Sequence, residues 1–179
     1  EKDFVSYHQD AKYIGLKPYN WVTAWVAITD SNEHNGCMRM WSGSHKDNLK
    51  EHEQMFNEGN LLTRGQTVNN VPKEKTTPLI LEAGQMSLHH PTVVHGSDLN
   101  KSDDRRIGFV IQSYIGSNVK QVLGKNGVQL ARGKDDYNFH ETIGRQKSLM
   151  NKKDLKIKKR ENDNLQEIFY KGSSKKGNY

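Results

Sequence analysis

His8-Gln9-Asp10 sets an imidazole and a carboxylate two positions apart near the start of the chain, and His95 adds a second imidazole 87 positions later. In an extended strand, residues i and i+2 share a face, so His8 and Asp10 can reach one ion, and a folded sheet can bring His95 opposite them. Two histidines and one carboxylate form a facial triad. On an octahedral Fe(II) this leaves three adjacent positions for a chelating ligand and O2, and a donor set without thiolate suits iron better than structural zinc. An H-x-D tripeptide alone is weak, because short motifs arise by chance and three unrelated polar residues are the plain alternative.

The residues after His95 strengthen the case. Gly96-Ser97-Asp98-Leu99-Asn100-Lys101-Ser102-Asp103-Asp104-Arg105-Arg106 brings a pair of arginines to the start of the next predicted strand. A guanidinium returning toward the metal pairs bidentately with a free carboxylate, and Ser97 can add a hydroxyl hydrogen bond to the same group. Together these residues describe a holder for a dicarboxylic keto acid whose other end chelates the iron.

The elements that must position these groups read as strands. Trp21 to Thr29 is β-branched and aromatic and predicts a largely buried strand, followed by a turn at Asn35-Gly36 and a short strand Cys37 to Trp41. Further strands are predicted at Thr77–Leu81, Met86–His89, Val93–His95 and Arg106–Ile115, with a polar excursion over 47–59 holding a helical turn or two at most. Short strands, tight turns and little helix before residue 145 argue for an all-β jelly roll. Gln146 to Gln166 has helix-forming composition with a weak apolar face.

Composition bounds the function classes. A chain of 179 residues is sized for one domain, Cys37 is its only cysteine, so no internal disulfide or cysteine-rich zinc site is available, and we read Cys37 as a core residue. No apolar run is long enough for a membrane helix and no leader opens the chain, so a cytoplasmic protein away from membranes is expected. Glu1 is not a methionine and the strongest motif starts seven residues later, so the chain reads as the remainder of something longer. From Arg145 onward eleven Lys or Arg face four Asp or Glu, a surplus of +7 that leaves residues 1–144 at −1 of the total +6. The aromatics there, Phe169, Tyr170 and Tyr179, do not alternate with the basic residues, so a solvated basic extension is expected and not a nucleic-acid groove. The expected division is a domain over 1–144 and a basic extension over 145–179.

Four blocks in order, Tyr7-His8-Gln9-Asp10, Trp25 to Asp30, Asn35 to Arg39 with Gly43-Ser44-His45-Lys46, and His90-Pro91 through His95-Gly96-Ser97 to Arg106, give the chain a family resemblance. From Tyr7 to about His140 it resembles the phytanoyl-CoA dioxygenase family of Fe(II)/2-oxoglutarate oxygenases. The resemblance implies a double-stranded β-helix, a cupin-like jelly roll, with Fe(II) held by His8, Asp10 and His95. It also implies that Arg106 binds the far carboxylate of 2-oxoglutarate, assisted by Ser97, and that Trp25 lines the cosubstrate site. Arg105 and Arg106 face opposite ways on a strand, and a register slip of one would exchange their roles. Ser42 stands where the family often has proline, which should alter a loop only. Related halogenases carry a small residue in place of the carboxylate, so Asp10 points to hydroxylation of a small organic substrate with release of succinate and CO2. The rival expectations are a non-catalytic metal-binding domain and a cupin-type isomerase or hydrolase, in which Arg106 would have no keto-acid partner. His45, His89, His90 and Arg39 are weaker candidates, expected as turn, core or ion-pair residues, with one of His89 and His90 a candidate to support the centre from behind.

Overall fold

Alternation along Trp21–Ala27 builds the strand on which the rest is assembled: Thr23, Trp25 and Ala27 face inward, and Val22, Ala24 and Val26 face the other way. A computed structural model describes residues 3–175, and Tyr179 lies outside them. In chain order it contains β1 (Val5–His8), α1 (Ala11–Ile14), β2 (Leu16–Lys17), β3 (Trp21–Ala27), β4 (Met38–Trp41), β5 (Glu53–Gln54), β6 (Gln66–Thr67) and β7 (Thr76–Pro78). There follow β8 (Met86–His89), β9 (His95–Ser97), β10 (Gly108–Ile115), β11 (Lys120–Gln121), β12 (Gly127–Val128), β13 (Glu141–Thr142) and α2 (Lys152–Phe169).

Two antiparallel sheets carry the site. One has the order β1-β9-β4-β7 and the other β10-β3-β8. Between them Trp25, Ala27 and Met38 are buried together, with Met40, Leu79 and Leu81 packed against them. A second apolar cluster, Ala11, Ile14, Leu16, Trp21 and Val119, fastens α1 and β2 to the end of the sheets. Gly15 ends α1 in the left-handed region at φ 74°, and a Cβ there would stand 2.4 Å from Oε1 of Gln121, so both backbone and space call for glycine.

The mostly β character agrees with expectation, and the element boundaries move for local reasons. β7 ends at Pro78, the Leu79 N–H still donates to the Met38 carbonyl at 2.7 Å, and Leu81 then bridges Ser31 through backbone bonds of 2.8 and 2.9 Å. β9 begins at His95 because Val93 is taken up in a turn, its N–H donating to the His90 carbonyl. β10 begins at Gly108 because the Ile107 N–H donates to Oγ1 of Thr29 while the Ile107 carbonyl accepts from Ile28 and Thr29. The 47–59 excursion holds no helix and instead contributes β5, which pairs with β6.

The C-terminal helix starts later than expected, at a cap where the Asn151 side chain accepts from the N–H groups of Lys153 and Asp154. Ile168 is its only buried residue, as a weak apolar face implies. Its end is nonetheless anchored: Phe169 meets Tyr13 edge to face, and Arg64 donates to the carbonyls of Phe169 and Lys171. Among the described residues no helix is long and apolar enough to cross a membrane.

Candidate metal centre

β1 ends at His8, and Asp10 is already helical, with φ −53° and ψ −40° at the N-cap position of α1. The two donors therefore meet through a strand-to-helix turn and not through strand alternation, which corrects the geometric route assumed for H-x-D while keeping its result. His95 lies directly opposite His8 in the β1–β9 ladder. The side chains of His8, Asp10 and His95 are all buried, and their ligand atoms lie within 4.8 Å of one another. Oδ1 of Asp10 is 3.5 Å from Nε2 of His8 and 3.9 Å from Nε2 of His95.

Backbone carbonyls set the tautomers. Nδ1 of His8 lies 2.8 Å from the Ser6 carbonyl and Nδ1 of His95 lies 3.0 Å from the Val93 carbonyl. A carbonyl only accepts, so each Nδ1 carries the proton, and in the neutral ring Nε2 keeps a lone pair aimed at the other donors. Burial, reinforced by the neighbouring His8, pushes the His95 imidazole down to about 3, so it is neutral at physiological pH. Burial alone would raise Asp10, but hydrogen bonding and electrostatic attraction from the surrounding imidazoles outweigh it and leave the carboxyl well below the usual carboxylate range. Two neutral nitrogens and one carboxylate are the donor set a divalent ion needs.

Gln9, fully buried between the two donors, points the opposite way. Its Nε2 donates 2.6 Å to the Thr92 carbonyl, its Oε1 accepts 2.8 Å from the Lys50 N–H, and its own N–H donates 3.1 Å to Nε2 of His52. The 47–59 excursion is thus the rear support of the metal end. On the other side Thr23 donates 2.9 Å to Oδ2 of Asp10, and the Tyr13 hydroxyl lies 3.3 Å from Oδ1. Thr23 and Gln9 were not singled out from the sequence. Thr23 precedes Trp25 by two on the inward face of one strand, and a polar residue between two donors must face backward, so strand period and the oddity of a buried Gln were the available signals.

Ser97 follows His95 by two on β9 and shares its face, as Trp25 shares that of Thr23 on β3. Nη2 of Arg106 donates to Oγ of Ser97 at 3.4 Å, and its guanidinium carbon is 5.7 Å from the centre of the Trp25 ring. Arg105 is exposed, and Arg106 is half-buried. Among the described residues Arg106 has no carboxylate partner, so a cation stands at one end of two ladders whose other end is the anionic triad. Gly108 makes room here, since a Cβ would lie 2.1 Å from Cζ2 of Trp25.

The remaining candidates fall to their simpler readings. Arg39 pairs with Glu33 at 2.8 Å and with Thr76, Asn35-Gly36 is a turn closed by the Asn32 and Asn35 side chains, and Cys37 is buried. His45 sits exposed in a 3-10 turn, 6.0 Å from the ring of half-buried His90. His89 is different: it is buried, with its ring 4.8 Å from that of His95.

Known proteins resemble this chain in sequence and in fold. The family model described as phytanoyl-CoA dioxygenase (PhyH) matches residues 2–108. The peroxisomal phytanoyl-CoA dioxygenase of Mus musculus is 30% identical over 122 residues, covering 67% of this chain and 36% of that protein, and the Bos taurus protein is 32% identical over 101 residues, covering 55% and 30%. The chain therefore spans about a third of the length of these relatives. Among solved structures, the non-haem monooxygenase ThoJ in its apo form superposes with a TM-score of 0.80 at 29% identity, over 94% of this chain and 61% of that one. The epimerase SnoN, solved with Fe3+, α-ketoglutarate and nogalamycin RO, shares the fold at a TM-score of 0.53 and 21% identity, over 67% of this chain and 45% of its own. The match from residue 2 to 108 takes in the triad, Trp25, Ser97 and Arg106, and this chain belongs to the phytanoyl-CoA dioxygenase family.

Proposed function

We propose that the protein is a non-haem Fe(II)- and 2-oxoglutarate-dependent dioxygenase that hydroxylates a small organic molecule. The observation that carries this reading is the convergence of two carbonyl-fixed imidazole lone pairs and an ionised carboxylate on one buried point. His8, Asp10 and His95 are the residues that would hold the ion. With Fe(II), 2-oxoglutarate and O2 bound, the centre supplies oxidative decarboxylation to succinate and CO2 coupled to oxygen insertion into the substrate.

The protein's own part is positioning and exclusion of water. Arg106, cationic and without a carboxylate partner among the described residues, would pair with the far carboxylate of 2-oxoglutarate, and Ser97 would donate to the same group. Trp25 would wall the cosubstrate and orient the guanidinium stacked near it. With a metal bound, the Asp10 carboxylate would occupy the position a halide needs, which favours hydroxylation. On this reading residues 1–144 are the oxygenase domain on a double-stranded β-helix, and 145–179 are a basic extension held on at Ile168 and Phe169.

Anaerobic titration with Fe(II) and then 2-oxoglutarate tests the assignment through the visible charge-transfer band of the chelate. A band that forms in the native chain and weakens in Arg106→Ala supports it. Iron binding with no band, and no measurable 2-oxoglutarate affinity, would sink it in favour of another cupin chemistry.

A further inference from the structure

Beside the three donors stands a third imidazole that the proposed ligand set leaves idle. His89 closes β8 directly opposite Thr23 in the β3–β8 ladder, so both side chains project from the same face of the sheet toward the centre. Its Nε2 is 3.8 Å from Oδ2 of Asp10, and its Nδ1 is buried with no hydrogen-bond partner among the described residues. His8 and His95 differ in this respect, each having Nδ1 on a carbonyl. His89 is also outside the group whose ligand atoms all lie within 4.8 Å of one another.

The two oxygens of Asp10 have separate surroundings. Oδ1 faces Nε2 of His8 and Nε2 of His95 and also accepts from the Tyr13 hydroxyl at 3.3 Å, while Oδ2 accepts from Thr23 and faces His89. We propose that His89, together with Thr23, is a positioning residue that holds Oδ2 of Asp10, so that the carboxylate offers the metal Oδ1 alone. This rests on the triad reading above and deepens it. A carboxylate bound through both oxygens would take a fourth position on an octahedral ion, leaving too few for a chelating keto acid and O2; bound through one, it leaves three. Serving Oδ2 requires the proton on Nε2 of His89, the reverse of the tautomer in His8 and His95, and no carbonyl competes for Nδ1. The present 3.8 Å approach is longer than a hydrogen bond, so holding Oδ2 requires that this contact shorten.

Co(II) is the probe, because its visible bands report coordination number and geometry without turnover. The full chain and its His8→Ala, His89→Phe, His89→Gln and Thr23→Val variants are titrated, and each spectrum is recorded at saturation. Outer partners of this kind change metal affinity by roughly 10- to 100-fold. The expected result is a Kd raised about tenfold and an altered band envelope in both His89→Phe and Thr23→Val, with recovery in His89→Gln, whose amide can donate to Oδ2. A His89→Phe protein with native bands and a Kd within about twofold of wild type overturns the proposal, whatever its melting temperature. Should His89→Phe not fold, Thr23→Val and His89→Gln decide: native bands in the first with perturbed bands in the second overturn it. Co(II) binding by the native chain that is lost in His8→Ala shows that the triad stands even when the His89 proposal fails, whereas no binding by the native chain removes both.

Discussion

The two ends of the site are held with unequal stringency. At the metal end each donor has a second atom tied down: His8 by a carbonyl of its own strand, His95 by a carbonyl of the preceding turn, Asp10 by Thr23, and the intervening Gln9 by Thr92 and Lys50. At the other end Arg106 has one long contact to Ser97 at 3.4 Å and a ring 5.7 Å away. The metal end is preorganised before anything binds, and the arginine end is completed by its ligand. Substitutions should therefore act on metal at one end and on cosubstrate at the other.

The largest effect belongs to the donors. His8→Ala and Asp10→Ala each remove one of three protein ligands, at a cost of about 3 kcal/mol or more, so Fe(II) or Ni(II) affinity should fall on the order of 100-fold or beyond. Isothermal titration of the two variants checks this, and metal affinity within about tenfold of native in both would break the preorganised half of the comparison. Arg106→Ala should leave metal affinity unchanged and weaken 2-oxoglutarate by about 2–3 kcal/mol, roughly 30- to 150-fold, because truncating a charge-pair partner leaves the carboxylate unpaired. Arg106→Lys keeps the charge without the planar fork, and should recover only part of the loss. A matching fall in metal affinity in Arg106→Ala would show that the ends are not separable.

Rear support gives the next effect. Gln9→Leu preserves size but strands the Thr92 carbonyl and the Lys50 N–H, each of which loses its partner in a buried setting. Unpaired groups of this kind cost about 1–3 kcal/mol apiece, so a destabilisation of about 3 kcal/mol and a melting temperature lower by roughly 6–12 °C are expected. Thermal unfolding by circular dichroism measures it directly. A change of under about 2 °C would mean that the excursion over 47–59 does not carry the metal end.

These two regions were unequally legible in sequence. β3 announced itself because nine consecutive β-branched, aromatic or small residues leave no alternative period, and the H-x-D and H-x-S pairs stood out by residue type. Their convergence was read through strand alternation, yet Asp10 is helical, a distinction that depends on where β1 ends and not on the tripeptide. Arg105 and Arg106 were separable only by register, and so were His89 and His90, since a slip of one exchanges every face. The 47–59 segment has no apolar pattern because its order comes from Gln9, more than forty positions away, and such a long-range polar contact leaves no local signature. Boundaries moved where a turn carbonyl or a hydroxyl took up a strand N–H, as at His90 and Thr29.

The smallest effect concerns His52, which accepts at Nε2 from the Gln9 N–H and places Nδ1 2.9 Å from the Lys50 carbonyl. Accepting at one nitrogen and donating at the other requires a neutral ring, and burial accordingly pushes its pKa down to about 4, below the ordinary value of 6.5. The unfolded chain then binds this proton more readily than the folded one. The contribution of His52 is fully present above pH 6.5 and is lost as pH falls toward about 4. His95, depressed further by burial, acts in the same direction in the metal-free protein and must be subtracted. Comparing metal-free native chain with His52→Gln does so: the native melting temperature should fall more steeply between pH 7 and pH 4.5, because the amide keeps a neutral acceptor for the Gln9 N–H and does not titrate. Parallel curves for the two proteins would show that protonation of His52 is not felt at the metal end, and that the support supplied by Gln9 runs through Thr92 and Lys50 alone.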